Sequence, residues 1–195
     1  GQGDLANLQG TLSADLATAL KEVKKFVDMS EWDASGKLFA RVDIKETAPD
    51  INTASLNLDI RKLALSHQGR SILPKQDAKA DLTTTVRRAA HFSTSEFQQP
   101  NLTVRSTMAQ GNFKADRLQL NDSGNKPSAK NFAVDAKFNL QQISDLLRNF
   151  KILPATTQLA GNARLKTSGT LDTQQLTLNS TRVDARSFQY RDREK

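Results

Sequence analysis

Apolar and polar residues alternate with a period of two along most of this chain, and a chain written that way has few folds open to it. Leu38, Ala40, Val42 and Ile44 alternate with Phe39, Arg41, Asp43 and Lys45, and Ala54, Leu56, Leu58 and Ile60 alternate with Ser55, Asn57, Asp59 and Arg61. Successive side chains of a strand point to opposite faces, so the pattern predicts strands with one apolar and one polar face. The same writing continues through Ala78, Ala80, Leu82, Thr84 and Val86, then Leu102, Val104 and Met108, then Phe132, Val134, Ala136 and Phe138. It ends with Leu159, Ala163 and Leu165, followed by Leu176 and Leu178.

The alternation slips by one residue between Ile60 and Leu63 and between Ala115 and Leu118. An uncorrected slip turns the apolar set outward, so bulges or tight turns are expected near Arg61-Lys62 and Asp116-Arg117. Turn chemistry marks Ala48-Pro49-Asp50, Gln68-Gly69-Arg70, Gln110-Gly111-Asn112 and Ser168-Gly169 as breaks between strands. A flexible loop is expected over residues 122–128, which contain Asp122-Ser123-Gly124-Asn125.

Two segments change to the helical period. Leu16, Ala19, Leu20, Val23 and Val27 lie on one helical stripe behind Asp15 as N-cap. Leu140, Ile143, Leu147 and Phe150 do the same behind Asn139, with Gln142 at the capping-box position and Pro154 forbidding continuation. Both stripes are expected to lie on the sheet, the one abundant apolar partner.

The two helical segments are copies of one pattern. A shift of 124 residues sets Asp15 on Asn139, Leu16 on Leu140, Val23 on Leu147 and Phe26 on Phe150. One further residue sets Gly36 on Gly161 and the run Leu38, Ala40, Val42 on Ala163, Leu165, Thr167. Residues 8–46 therefore resemble 132–171, and the chain 1–195 reads as a single segment of a repeating β-rich structure holding about one and a half units. Its opening Gly1-Gln2-Gly3 is read as an excision boundary, and the sheet edges are expected to be covered by further units.

Composition excludes several classes. Leu, Ile, Val and Phe make up about a quarter of the residues, enough for folding, where roughly a fifth is the level below which disorder prevails. No apolar run approaches the about 20 residues of a membrane-spanning helix, and without a charged start followed by an apolar stretch no signal peptide is expected in these residues. The absence of Cys removes disulfides, thiol nucleophiles and Cys-ligated zinc. The net charge of +7 invites an anionic partner, but acids interleave with bases, as in Asp59-Ile60-Arg61-Lys62, which argues against nucleic acid. His67 and His91 are the only histidines, no Gly-x-Ser-x-Gly elbow occurs, and no spacing suits a metal. No catalytic residue, metal site or cofactor is assigned, and the chain is read as not an enzyme. Trp32 reads as an aromatic cap packing the helix-to-strand connection onto the sheet, and the pairs Lys24-Lys25 and Arg87-Arg88 as solvated.

Leu12-Ser13-Ala14-Asp15-Leu16-Ala17-Thr18-Ala19-Leu20, then Trp32-Asp33-Ala34-Ser35-Gly36-Lys37-Leu38, then alternating strands, resembles the AsmA-like superfamily of AsmA/TamB-type bacterial envelope proteins. The second copy, from Phe138-Asn139-Leu140 to Leu159-Ala160-Gly161-Asn162-Ala163-Arg164-Leu165, is similar. The resemblance implies a mainly β fold with two short amphipathic helices, built as an elongated, curved antiparallel sheet with an apolar inner groove. It implies an internal periplasmic segment of a protein anchored in the inner membrane, with the anchor outside this chain. It also implies a part in phospholipid transport to the outer membrane or in outer-membrane biogenesis. On that reading Leu38, Val42, Ile44, Leu56, Leu58, Ile60, Leu102, Val104, Phe132, Val134, Phe138 and Leu165 line the groove and meet phospholipid acyl chains. The alternative closes the same face with the two helices and neighbouring strands, giving a dry-cored adaptor that binds other envelope proteins.

Overall fold

The structure, a computed structural model, describes residues 7–88, 94–121, 127–172 and 175–192. The elements in order are β1 (Asn7–Asp15), α1 (Leu16–Val23), β2 (Trp32–Ala48), β3 (Ile51–His67), β4 (Arg70–Arg88), β5 (Thr94–Ser106), β6 (Ala109–Lys114), β7 (Arg117–Asn121), β8 (Ser128–Asn139), α2 (Leu140–Asn149), β9 (Thr157–Leu171) and β10 (Leu176–Asp192). The ten strands form one antiparallel sheet in the order β1-β2-β3-β4-β5-β6-β8-β9-β10, with β7 between β5 and β8 beyond the end of β6. The chain is thus a meander in which each strand lies beside its predecessor, and β6 with β7 act as one broken strand. It is mainly β with two helices, as the alternation predicts.

The strands are long. At about 3.3 Å per residue the 17 residues of β2, β3 and β10 extend about 56 Å, well beyond an average strand. Bulges make that length compatible with constant facing. The parity slip at Ile60 is a register shift opposite β4, where Lys62 takes a φ of 55° and its N–H donates to Asp77 Oδ1 at 2.7 Å. The slip at Ala115 is the break between β6 and β7, where Gln99 N–H donates to the Asp116 carbonyl and Asp116 N–H to the Lys130 carbonyl.

Several turns fall where the sequence places them. Pro49-Asp50 joins β2 to β3, and Gln68-Gly69, with φ of 51° and 72°, joins β3 to β4. Two expected turns are instead strand interior. Gln110-Gly111-Asn112 lies within β6, the actual turn being Thr107-Met108, and Ser168-Gly169 lies within β9. Gly169 serves close approach of its neighbours across the sheet, whereas a Cβ on Gly111 would meet Ala136 Cβ at an ordinary 3.5 Å. A Cβ on Gly169 would sit 2.2 Å from the Thr177 carbonyl oxygen. Of the loop expected over 122–128, residues 122–126 lie outside the described residues and β8 begins at Ser128.

The repeat has a structural counterpart. Asp15 and Asn139 both cap their helices from extended backbone, accepting from Thr18 N–H and Gln142 N–H respectively. Gly36 in β2 and Gly161 in β9 take φ of 126° and 106°, each facing a bulge in the next strand whose central residue, Lys62 or Ser187, has a φ of 55° or 54°. The pairs flanking the glycines also correspond: Ser35 with Ala64 and Lys37 with Arg61 in one copy, Ala160 with Gln189 and Asn162 with Arg186 in the other.

The helices differ in what holds them. α2 packs on β9, β8 and β4, with Asn149 Nδ2 donating to the Ile72 carbonyl at 2.8 Å and Leu159 N–H donating to the buried Ser144 Oγ at 3.1 Å. Its 10 residues, about 15 Å, match the three strand spacings of about 4.8 Å between β8 and β4. α1 packs on β1 and β2 and buries no residue. It ends at Val23, one turn short of the expected stripe, leaving Phe26 86% and Val27 54% exposed. The expectation that both stripes rest on the sheet therefore holds only for the first part of the α1 stripe, where Leu16 and Leu20 are half-buried, and not for Val23, Phe26 and Val27. Periodicity continues to Val27, but nothing packs there to favour a further turn.

Candidate functional site: an open apolar face

Register places all twelve expected lining residues on one face. One row runs across nine strands as Leu12, Ala40, Leu58, Ala80, Val104, Gly111, Ala136, Leu165 and Val183, each residue opposite the next. Large and small residues alternate along most of it, which lets neighbouring side chains interdigitate. The adjacent row carries Val42, Leu56, Leu82, Leu102, Phe113 and Val134 in the same manner. Ile44 lies opposite Ala54, Leu38 opposite Ile60, and Phe138 between Ala109 and Ala163. Phe132, two residues before Val134, stands against Gly169.

This face has no second layer. None of the twelve is buried; Leu56 and Val104 are 36% and 39% exposed, and the rest are half-buried. Among the described residues the buried hydrophobic ones are Ile72, Ala115 and Ala129, none of them in the two rows. Among the described residues, then, neither α1 nor α2 buries these two rows. Toward the sheet edges exposure rises further, to 58% at Leu12 and 67% at Val183.

Sequence reasoning missed two parts of this surface. Phe113 completes the second row but follows Gly111, whose glycine reads as a turn signal. On β10 the alternation is read only at Leu176 and Leu178; Val183, Phe188 and Tyr190 go unread, all five are more than half exposed, and two register shifts separate them into short groups. Those shifts break the period, while Arg182, Asp184 and Arg186 make the segment read as polar.

The opposite face is polar and laddered by charge. Arg41, Asn57, Asp81, Thr103, Asn112, Asp135, Lys166 and Arg182 form one cross-strand row. Arg164 holds Asp135 through two hydrogen bonds, one of 2.8 Å, and these hold the carboxyl below its ordinary value. Hydrogen bonding from Arg61 does the same for Asp59, while the Arg61 guanidinium lies 5.1 Å from the ring of Phe39, the one large apolar residue of β2 on this face. Arg61 thus shields an otherwise wet aromatic.

His67, at the end of β3, stacks on Trp32 with ring centroids 4.7 Å apart and sits 3.1 Å from Glu31 Oε2. Trp32 thereby fastens the connection after α1 to the β2–β3 hairpin. His91 lies outside the described residues. Among the described residues no group of three or more His, Cys, Asp or Glu is placed to hold a metal, and no helix is long and apolar enough to cross a membrane. Compared with protein families, curated proteins and solved structures, the chain matches none.

Proposed function

We propose that this chain is a lipid-carrying segment of an AsmA-like periplasmic protein, in which the open apolar face holds phospholipid acyl chains while headgroups stay in water. One observation carries the reading: an apolar surface continuous across nine strand positions, with none of its twelve central residues buried. Such a surface is costly unless something covers it, and contiguous exposed apolar area marks a binding site. Each methylene withdrawn from water contributes about 0.8 kcal/mol, so a tail of about 16 carbons resists bare exposure by about 12 kcal/mol. A surface that takes the tail as it leaves a bilayer lowers that barrier. With strands of about 56 Å, a tail of about 20 Å lies along a strand with room to move lengthwise. The polypeptide containing this segment would be held at the inner membrane by an anchor outside the chain, and would serve phospholipid movement or outer-membrane assembly without catalysis.

The adaptor reading survives in altered form, because among the described residues the 17-residue β10 is the last strand of the sheet, an edge suited to another protein's strand. Lipid extraction separates the two. The purified chain, extracted with organic solvent and analysed by mass spectrometry, is expected to release phospholipid. Leu58→Asp and Val104→Asp are expected to abolish lipid recovery while the chain still melts cooperatively. Absence of lipid from the wild-type chain, purified without detergent, overturns the proposal.

A further inference from the structure

A depression of ≈ 600 Å³ lies near the ends of β6, β8, β9 and β10; its charged side chains belong to the polar face, while Ala109, Phe138 and Ala163 of the apolar set border it. Five cations line it, Lys137, Arg164, Lys166, Arg182 and Arg186, against one carboxylate, Asp184. Elsewhere on this face neighbouring cations share a carboxylate. Asp43 stands between Arg41 and Lys45, Asp59 between Arg61 and Lys79, and the second depression pairs Arg41 and Lys79 with Asp59 and Asp81. Here the available acids are already engaged: Asp135 by Arg164 and Lys166, Asp184 by Arg182. Among the described residues Lys137 and Arg186 have no carboxylate within 4.0 Å, although both face the depression. They stand on β8 and β10, about 12 Å apart at the backbone by strand spacing, a gap two long side chains span around one guest. Asn162, on β9 between them, and Gln110, beside Lys137 on β6, add neutral hydrogen-bonding groups.

From this geometry we propose that the depression is a binding site for a phosphate group carrying two or more negative charges, gripped by Lys137 and Arg186 in the field of Lys166 and Arg182. A guanidinium fork matches phosphate oxygens, and a concentrated excess of cations favours a multiply charged anion over a single carboxylate. Its charged side chains belong to the polar face, and the site does not rest on the lipid reading.

The test titrates the full chain with inorganic pyrophosphate at low ionic strength, followed by amide chemical shifts. The expected shifts cluster on residues 108–110, 137–139, 162–166 and 182–186. The double variant Lys137→Gln/Arg186→Gln is expected to weaken binding by about tenfold or more, whereas Arg41→Gln/Lys79→Gln, which removes the same charge from the same face, leaves it within about twofold. Shifts scattered over the whole polar face, or equal weakening by both double variants, would reduce the effect to net charge and overturn the site. Sedimentation with phosphatidic acid vesicles, whose phosphomonoester headgroup can carry two negative charges, competed by pyrophosphate, identifies the source as a lipid headgroup. Pyrophosphate binding without sedimentation identifies it as a free phosphate compound. Failure of both probes overturns the proposal.

Discussion

Gly161 has no room for a side chain: a Cβ there would sit 2.5 Å from the Ser187 carbonyl oxygen and 2.7 Å from that of Arg186, and its φ is 106°. Gly36 is confined in the same way, 2.8 Å from the Arg61 carbonyl. Backbone atoms cannot swing aside, so Gly161→Ala is expected to lower stability by more than about 1 kcal/mol, read as a fall in the urea midpoint. Gly111→Ala is the internal control. Its Cβ would meet Ala136 Cβ at an ordinary 3.5 Å, and the change is expected to stay within about 0.5 kcal/mol. Charge makes a separate prediction at this scale. The Asp135 carboxyl is held below its ordinary 3.8 by the hydrogen bonds from Arg164, so its contribution to stability is complete above that value and is lost as pH falls through the lower native value. Melting temperatures of wild type and Asp135→Asn are therefore expected to converge in acid below 3.8 and to differ most above pH 5. The pair is partly exposed, so the difference should shrink in high salt.

The two helices share a cap and a stripe but not a role. Asn139→Ala removes the acceptor for Gln142 N–H from a helix strapped to β9 and β4, and is expected to cost about 1 kcal/mol of global stability. Asp15→Ala removes the equivalent bond to Thr18 from a helix that buries nothing. It is expected to speed amide exchange within α1 while leaving the melting temperature of the sheet unchanged. At this scale the sequence was legible wherever local chemistry and packing agree. The β2 and β3 strands, both caps and the bulges or turns expected near 61–62 and 116–117 follow from period, capping residues and parity. It was illegible where a signal carries two meanings. Glycine marks turns but also sits inside strands, for close approach at Gly169 and with ordinary contacts at Gly111, so both read as breaks, whereas the true turn at Thr107-Met108 contains neither Gly nor Pro. Lys62 and Ser187 adopt left-handed backbone with nothing in their identity to announce it. Ser187 becomes readable only through its match to Lys62 in the repeat. The twelve apolar positions were legible as one set because a single face carries them all. Their openness was not, since alternation looks the same whether or not a second layer covers the sheet.

A one-layer molecule has a measurable thermodynamic signature. A compact protein of 21.5 kDa exposes about 9,200 Å², and its unfolded chain about 31,000 Å². This chain exposes 13623 Å² when folded, so unfolding uncovers about 17,600 Å², roughly four-fifths of what a compact chain of equal mass would uncover. Denaturant slopes scale with that area, so the urea m-value is expected near four-fifths of the value for a compact protein of this size. An m-value at the compact level would mean that the apolar face is covered in solution, by self-association or by rearrangement of the helices. Ligand then provides the complementary measurement. Lipid occupying the open face is removed when the sheet unfolds, so the midpoint should rise with lipid concentration by linkage, and Leu58→Asp should abolish the rise. An equal rise in Leu58→Asp would place the bound lipid elsewhere than on the row from Leu12 to Val183, and the continuity of that row would then have no functional consequence.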